Sequence, residues 1–578
     1  MFDTLIKNGL VVDGSGKAGF HADVGMKDDR IAFVGSVNGA SAAKVIDAGG
    51  KVVCPGAVDC HSHADMSVFR HDHHRILEPL VRQGITTLIG GNCGISLAPI
   101  GEKNRQMIKD YIEAFTSFNF DDAIQWASMG EFLDTLEGRG VLLNTAILAP
   151  HGLIRGNEMG AVMRFATDEE LHGMGNGLDR ALEEGAIGLS TGLQYFPGNQ
   201  SDTRELVYLG KVVKKHDGIF TSHLRSYSNT LDMAIDEVIE VAREAEIRAQ
   251  ISHIFWVPDA GWVSPYARKL IRGLARMSAW WTLPIPIDRP LAGRINRVAA
   301  AREKGIRVLA DVMPTTTGFT HILAFFPPWV LADGGIEETL SRLRDPELRQ
   351  KMKHSIEHGK MTWPHVEGDS WSLNLFRVMG WECARIMSVQ TEKNKRLEGM
   401  SLMDIAKERK THPFDAACDL LLEENGRVLV FESMAQPDDN FTERSTFGPI
   451  RHPEVAISTD TILMGFGKPS QLFYACYPKF ISRYVRQKKM LSLETAVMKF
   501  TSLPAEHFKL KHRGLIKENY YADIQIFDPE KIASLSTFEK PDVFPAGIEH
   551  VFINGHHILE GDTFKPDPRP GMVLRGNR

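Results

Sequence analysis

The chain has 578 residues, with 67 Lys+Arg against 73 Asp+Glu for a formal charge of −6, and 43% hydrophobic and 24% charged residues. That balance belongs to a folded protein of two to four domains and excludes a disordered chain, and the mild acidity argues against the basic face that nucleic acid or an anionic membrane requires. Six cysteines are too few for a disulfide framework. No apolar stretch reaches the roughly 18 residues of a membrane span, and Met1-Phe2-Asp3-Thr4 opens no secretory signal, so a cytoplasmic globular protein is expected.

Residues 3–50 read as short strands broken by turn signals: 5–12, the turn Asp13-Gly14-Ser15-Gly16, 21–26 and 31–34. β-rich runs then recur at 52–63, 85–92, 142–150, 186–191, 219–224, 249–254, 307–314 and 455–460. They are continuous apolar runs, as suits strands buried on both faces. Helical patterns lie between most of them, such as 168–184, closed by Gly185, and 229–245, opened by Ser228 or Asn229. Strand alternating with helix eight times predicts an α/β fold, a parallel (β/α)8 barrel.

About 140 residues separate the seventh run from the eighth, far more than a crossover loop. The polar, helix-rich stretch at about 330–435, with 336–343 and 401–408 as examples, is expected to be a subdomain inserted over the barrel mouth, where it would serve as a lid. Residues 520–560 return to short strands, 522–527 and 550–553, before Asn554-Gly555. Neither end has enough strands for a stable sheet alone. Residues 1–54 and 506–578 are therefore expected to pair in space as one small β-sandwich, with the barrel, 55–505, inserted between them.

Active sites in such barrels form at the C-terminal strand ends. The first run ends Asp59-Cys60-His61-Ser62-His63, and His61 and His63, two apart, point to one side and suit a divalent metal. The second ends Gly91-Asn92-Cys93-Gly94, where glycines let the backbone turn and present a thiol that can ligate zinc or bridge two metals. The fifth ends Ser222-His223, the sixth Ser252-His253 and the eighth Ser458-Thr459-Asp460. A lone strand histidine is more often a satisfied core group, and a free Cys a small buried hydrophobe; Cys54, Cys60, Cys383, Cys418 and Cys476 are read that way. A carboxylate ending an apolar run is costly to bury unpaired. Six such groups at matching strand ends form a specific signal.

At these residues the chain resembles the amidohydrolase superfamily and, within it, the N-acyl-D-amino-acid deacylase (D-aminoacylase) branch. The matching words are 55–63 (Pro-Gly-Ala-Val-Asp-Cys-His-Ser-His), 83–87, Gly91-Asn92-Cys93-Gly94, Ser190-Thr191-Gly192-Leu193 with Tyr195, the segments around His223, His253 and Asp460, and the closing 569–575. Asn-Cys-Gly discriminates most, since most amidohydrolases bridge with lysine or glutamate. The resemblance implies a metal-dependent hydrolase of non-peptide carbon–nitrogen bonds. It implies one tight zinc on Cys93, His223 and His253, a second weaker or empty site on His61, His63 and Asp460, and Asp460 as the catalytic proton carrier. The partner implied is a small-molecule amide; no nucleic acid or membrane partner is expected, and homo-oligomerisation is left open.

Substrate recognition departs from the branch. The lysine that typically grips the amino-acid carboxylate, two residues after the sixth-strand histidine, is Phe255 here, followed by Trp256, and 468–474 lack the expected arginine. Tyr195 and Arg225 remain as anion contacts, with Phe255 facing the substrate. Trp280, Trp281, Phe325, Phe326 and Trp329 are candidates for the lining, though core packing is the commoner fate of each. An apolar amine side, or one with a masked carboxylate, is expected over short acidic N-acyl-D-amino acids. The alternatives are hydrolysis of another amide, a cyclic amide or a carbamate with an apolar amine side; a non-catalytic scaffold, which would lose ligands that are all present; and a deaminase, against which Cys93 argues.

Overall fold

The computed structural model describes residues 1–578 apart from 38, 40, 117, 279, 281–282, 360, 362, 364–370, 438 and 577–578. Eight parallel strands follow one another in chain order: Ala57–Asp59, Ile85–Gly90, Asn144–Ile147 continued by Ala149–Pro150, Gly188–Gly192, Ile219–His223, Arg248–Ile251, Val308–Val312 and Val455–Ile457. A parallel bridge between Ser62 and Thr461 joins the eighth to the first and closes the barrel. Every strand residue except Arg248 is buried, which is why the runs are apolar rather than alternating. The helices are held by ordinary means. Asp168–Glu183 starts on a reciprocal cap between Thr167 and Glu170 and buries Leu171, Met174, Leu178 and Leu182 at helical spacing.

One expected strand proves to be two. Val52–Pro55 joins the terminal sheet and only Ala57–Asp59 enters the barrel. Pro55 has no N–H to donate, and the chain changes sheets there. The terminal sheet has nine strands, ordered Thr563–Phe564, His556–Glu560, Ile548–Ile553, Ile524–Phe527, Val52–Pro55, Phe2–Val11, Phe20–Lys27 and Arg30–Gly35, with Ala42–Asp47 branching from Phe2–Val11. The two chain ends meet where Val52–Pro55 pairs antiparallel with Ile524–Phe527. The sheet curls until Lys44 Nζ donates to Glu560 Oε1 at 2.8 Å, enclosing Ile6, Val24, Ile524 and Phe552. The last residues return to the barrel: the Thr145 N–H donates to Met572 O and the Leu574 N–H to Thr145 O, each at 2.8 Å.

Between the seventh and eighth barrel strands the chain builds more than helices. Alongside Ile336–Arg344, Pro346–His358, Leu375–Met379, Leu402–Arg409 and Pro413–Glu423 stands a three-stranded antiparallel sheet of Thr317–His321, Leu429–Ser433 and Ala384–Ser388. Thr317–His321 begins directly after the seventh barrel strand, so this unit starts earlier than the polar composition suggests. Phe325, Phe326, Phe376 and Phe414 pack in its own core.

Candidate metal centre

Barrel closure places the first and eighth strand ends together. The Asp460 N–H donates to His61 O at 2.9 Å and the His63 N–H to Thr461 O at 2.7 Å. Asp460 Oδ1 then lies 3.4 Å from Nε2 of both His61 and His63.

The loop after the second strand carries Cys93 into the same space. Gly91 and Gly94 adopt φ of 76° and 72°, and a Cβ on either would fall within 2.7 Å of Leu148 O or Gly192 N. Only glycine allows this backbone so close to its neighbours. Ser190 Oγ braces the loop, accepting from the Gly94 N–H at 3.1 Å and donating to Gly91 O. Asn92 Nδ2 donates to Ile89 O at 2.9 Å. Cys93, His253 and Asp460 themselves hold φ of 53°, 32° and 53°. Left-handed backbone at a non-glycine residue costs on the order of 1–3 kcal/mol and persists where surrounding structure imposes it, commonly at functional sites.

Cys93 Sγ lies 3.3 Å from His61 Nε2, 3.6 Å from His223 Nδ1 and 3.5 Å from His253 Nε2, and His223 Nδ1 is 3.0 Å from His253 Nε2. Zinc–sulfur and zinc–nitrogen bonds of about 2.3 and 2.0–2.1 Å in a tetrahedron set ligand atoms about 3.4–3.6 Å apart, so this donor set fits a zinc-sized ion. The ligating atoms of His61, Cys93 and His253, and likewise those of His61, His63 and Asp460, lie within 4.8 Å of one another. Asp460 Oδ1 is buried with no hydrogen-bond partner among the described residues, a state a bound cation relieves. All six residues expected at the strand ends are thus brought together. A third group that meets the same test, His550, His557 and Glu560, lies on the terminal sheet, where Lys44 and Lys565 already bind Glu560.

The electrostatics gather negative charge on Cys93 and Asp460 among the imidazoles. Burial raises the Cys93 thiol, but the charge of His61 and hydrogen bonds from His223, His253 and His61 outweigh it and hold the group well below its usual value, as a thiolate. Burial pushes His223 down to about 4, which keeps its imidazole neutral. Burial also lowers His63, yet Asp460 and Cys93 lift it to about 10. For Asp460, burial raises the carboxyl, while His61, His63 and His253 together pull it below its ordinary value.

Two supports lay outside the sequence expectations. Gln194 Oε1 lies 3.1 Å from His223 Nε2, fixing that ring. Asp311, on the seventh strand, accepts from the His253 N–H at 2.8 Å, Ser458 Oγ at 2.7 Å and Gln250 Nε2 at 2.7 Å, with Oδ2 3.7 Å from His61 Nδ1. Such contacts orient ligating rings and raise their affinity. An aspartate inside an apolar run was the available signal.

The three expected substrate contacts fare differently. The Tyr195 ring lies tilted against the His223 ring, with centroids 4.6 Å apart, and lines a small cavity of 30 Å³ that also touches His63 and Cys93. Phe255 lies flat on Tyr227, with ring centroids 4.2 Å apart, and lines a cavity of 470 Å³ that reaches His253. Arg225 is taken up by the fold. Its Nε donates to both Glu237 carboxylate oxygens at 3.1 and 3.0 Å, and its other nitrogens to Asn199 O and Ser201 Oγ. Its charge is neutralised in a buried pair, which corrects its reading as an anion contact. Phe325 and Phe326 are in the insertion core with Trp329 packed against it, Trp280 is 85% exposed, and Trp281 lies outside the described residues. The strand Thr317–His321 divides the two cavities, with Thr317 and Gly318 on the larger and Phe319 and Thr320 on the smaller.

Comparison with known proteins agrees with this geometry. The amidohydrolase family model matches residues 450–558, which contain Asp460. D-aminoacylase of Alcaligenes xylosoxydans xylosoxydans is 28% identical over 563 residues, spanning 97% of this chain and 96% of that relative. A D-aminoacylase structure, solved to define the functional role of its binuclear metal centre, matches with a TM-score of 0.74 at 26% identity, covering 100% of both chains. N-acyl-D-glutamate deacylase of Bordetella bronchiseptica, solved with zinc and a phosphonate mimic of the tetrahedral intermediate, matches with a TM-score of 0.75 at 25% identity, covering 99% of both. Full-length similarity, the barrel with its terminal sheet and the cysteine among imidazoles converge: the chain is similar over its whole length to the D-aminoacylases, and its residues 450–558 match the amidohydrolase family model.

Proposed function

We propose that this chain is a zinc-dependent amidohydrolase that cleaves a linear amide in the manner of an N-acyl-D-amino-acid deacylase, releasing a carboxylate and a free amine. The observation that carries this is the Cys93 sulfur within 3.6 Å of three imidazoles, beside a buried carboxylate oxygen that has no hydrogen-bond partner among the described residues. Cys93, His223 and His253 would hold the tighter zinc, and His61, His63 and Asp460 a second, weaker one. Bound there, zinc supplies Lewis acidity that polarises the amide carbonyl and acidifies water at neutral pH. Asp460 receives the proton lost by water as its oxygen bonds the carbonyl carbon. It delivers that proton to nitrogen as the carbon–nitrogen bond breaks, because an amine leaves poorly unless protonated.

The cavities supply the orientation. Phe255 occupies the place where the branch grips a carboxylate, so the 470 Å³ cavity takes the amine half and the 30 Å³ one a short acyl group beside Tyr195. The insertion walls both cavities and thereby excludes water from the bond being cleaved. A cytoplasmic setting fits six free, buried cysteines, and none of the described helices is long and apolar enough to cross a membrane.

The test is amine release from N-acetyl-D- and N-acetyl-L-amino acids, neutral amides, cyclic amides and carbamates, with metal content measured alongside. Release from linear amides that depends on zinc is expected. Activity confined to cyclic amides or carbamates, or none on any amide, overturns the proposal.

A further inference from the structure

The larger cavity is lined by a carboxyl group that the chemistry above does not use. Glu432, on the strand Leu429–Ser433 of the insertion, lines it together with His253, Phe255 and Trp256. Its Oε2 is buried and has no hydrogen-bond partner among the described residues. The strand neighbours leave it room. Glu432 pairs across to Gly318 on one side and Ala384 on the other, and a Cβ on Gly318 would come within 2.9 Å of Oε1. Among the described residues lining the cavity there is no lysine or arginine.

A buried carboxyl oxygen without a hydrogen-bond partner is costly, and the cost is recovered when a ligand brings the missing donor. We propose that Glu432 is a specificity residue of this cavity, accepting a hydrogen bond from an uncharged or cationic donor on the amine half, such as a primary amide or an ammonium group, and rejecting a carboxylate there. This rests on the reading of the cavity as the amine side. A carboxylate ligand would face Glu432 across a wall that offers no lysine or arginine, which builds discrimination by repulsion as well as by attraction. Burial pushes Glu432 up to about 7, with His253 lowering it and Asp460 raising it, in keeping with a group that gains from a donor and loses beside a second anion.

The experiment compares the dissociation constants of N-acetyl-leucinamide and N-acetyl-leucine, each as D and L isomers, for zinc-loaded wild type, Glu432→Gln and Glu432→Lys, with amine release read in parallel. Wild type is expected to bind the amide at least tenfold tighter than the acid. Glu432→Gln should narrow that ratio to within about threefold, chiefly by tightening the acid, and Glu432→Lys should reverse it. A wild type that prefers the acid, a ratio unchanged in both variants, or no binding of either ligand overturns the inference. Amine release decides the deacylase reading separately, because selective binding without turnover would sink that reading and leave Glu432 in place.

Discussion

Replacing Asp460 with asparagine isolates its proton-carrying role from its structural one. The position holds φ of 53°, which asparagine adopts readily and alanine does not, so Asp460→Asn should fold where Asp460→Ala adds backbone strain of about 1–2 kcal/mol. The side chain keeps its size and stays near His61 and His63, each 3.4 Å from Oδ1 in the wild type. The three groups proposed for the tighter zinc, Cys93, His223 and His253, are untouched, and tight zinc should remain. What is lost is a group that can take a proton from water and return it to nitrogen. General-base contributions of about 10²–10⁴ correspond to roughly 2.7–5.4 kcal/mol of barrier. The assay is kcat on the best amide found, with zinc and thermal melting measured on the same sample. A kcat within threefold of wild type at equal zinc would refute the role given to Asp460.

Gly94→Ala places a Cβ 2.7 Å from the Gly192 backbone at a φ of 72°, so it should displace Cys93 and lower zinc per chain, read by metal analysis, while far-UV circular dichroism is unchanged. Gln194→Ala removes the partner 3.1 Å from His223 Nε2 and should weaken zinc affinity about 10–100-fold in a chelator competition. Glu205 is held at about 2: burial raises it, but His151 and Arg155 pull it down. Its folded value is below its ordinary 4.5, so its contribution, on the order of 3 kcal/mol, is full above about pH 4.5 and lost as pH falls toward 2. Urea unfolding should show Glu205→Gln destabilised by about 3–5 kcal/mol at pH 7, with a shallower loss between those pH values.

The barrel was legible because each strand is buried on both faces, which writes an uninterrupted apolar run into the sequence. The six residues of the candidate metal centre were legible for a related reason: a His, Cys or Asp closing such a run conflicts with its surroundings unless it has a task. What escaped was whatever depends on contacts between distant segments. Arg225 looked available because Glu237, which neutralises it, sits on the helix Leu231–Glu244, and pattern alone does not show which way its side chain points. Gln194 and Asp311 act through rings brought to them by the closed barrel. The insertion sheet was hidden by strands such as Thr317–His321, whose Thr-Gly-Phe-Thr-His lacks an apolar signature because two different cavities flank it. Glu432, on a mostly apolar strand, carried a signal of the same kind as Asp460, a carboxylate out of place, and shows its purpose only beside the cavity.

The central claim is that one zinc on Cys93, His223 and His253 enables amide cleavage. It is tested most directly by stripping the protein with a chelator and titrating zinc back, in wild type and Cys93→Ala, while following amine release from an N-acyl amino acid or amide. Activity is predicted to be absent without metal, to rise with the first equivalent of zinc in wild type, and to stay near background in Cys93→Ala at the same zinc. Full turnover in the stripped wild type, or stoichiometric tight zinc with normal turnover in Cys93→Ala, would contradict it.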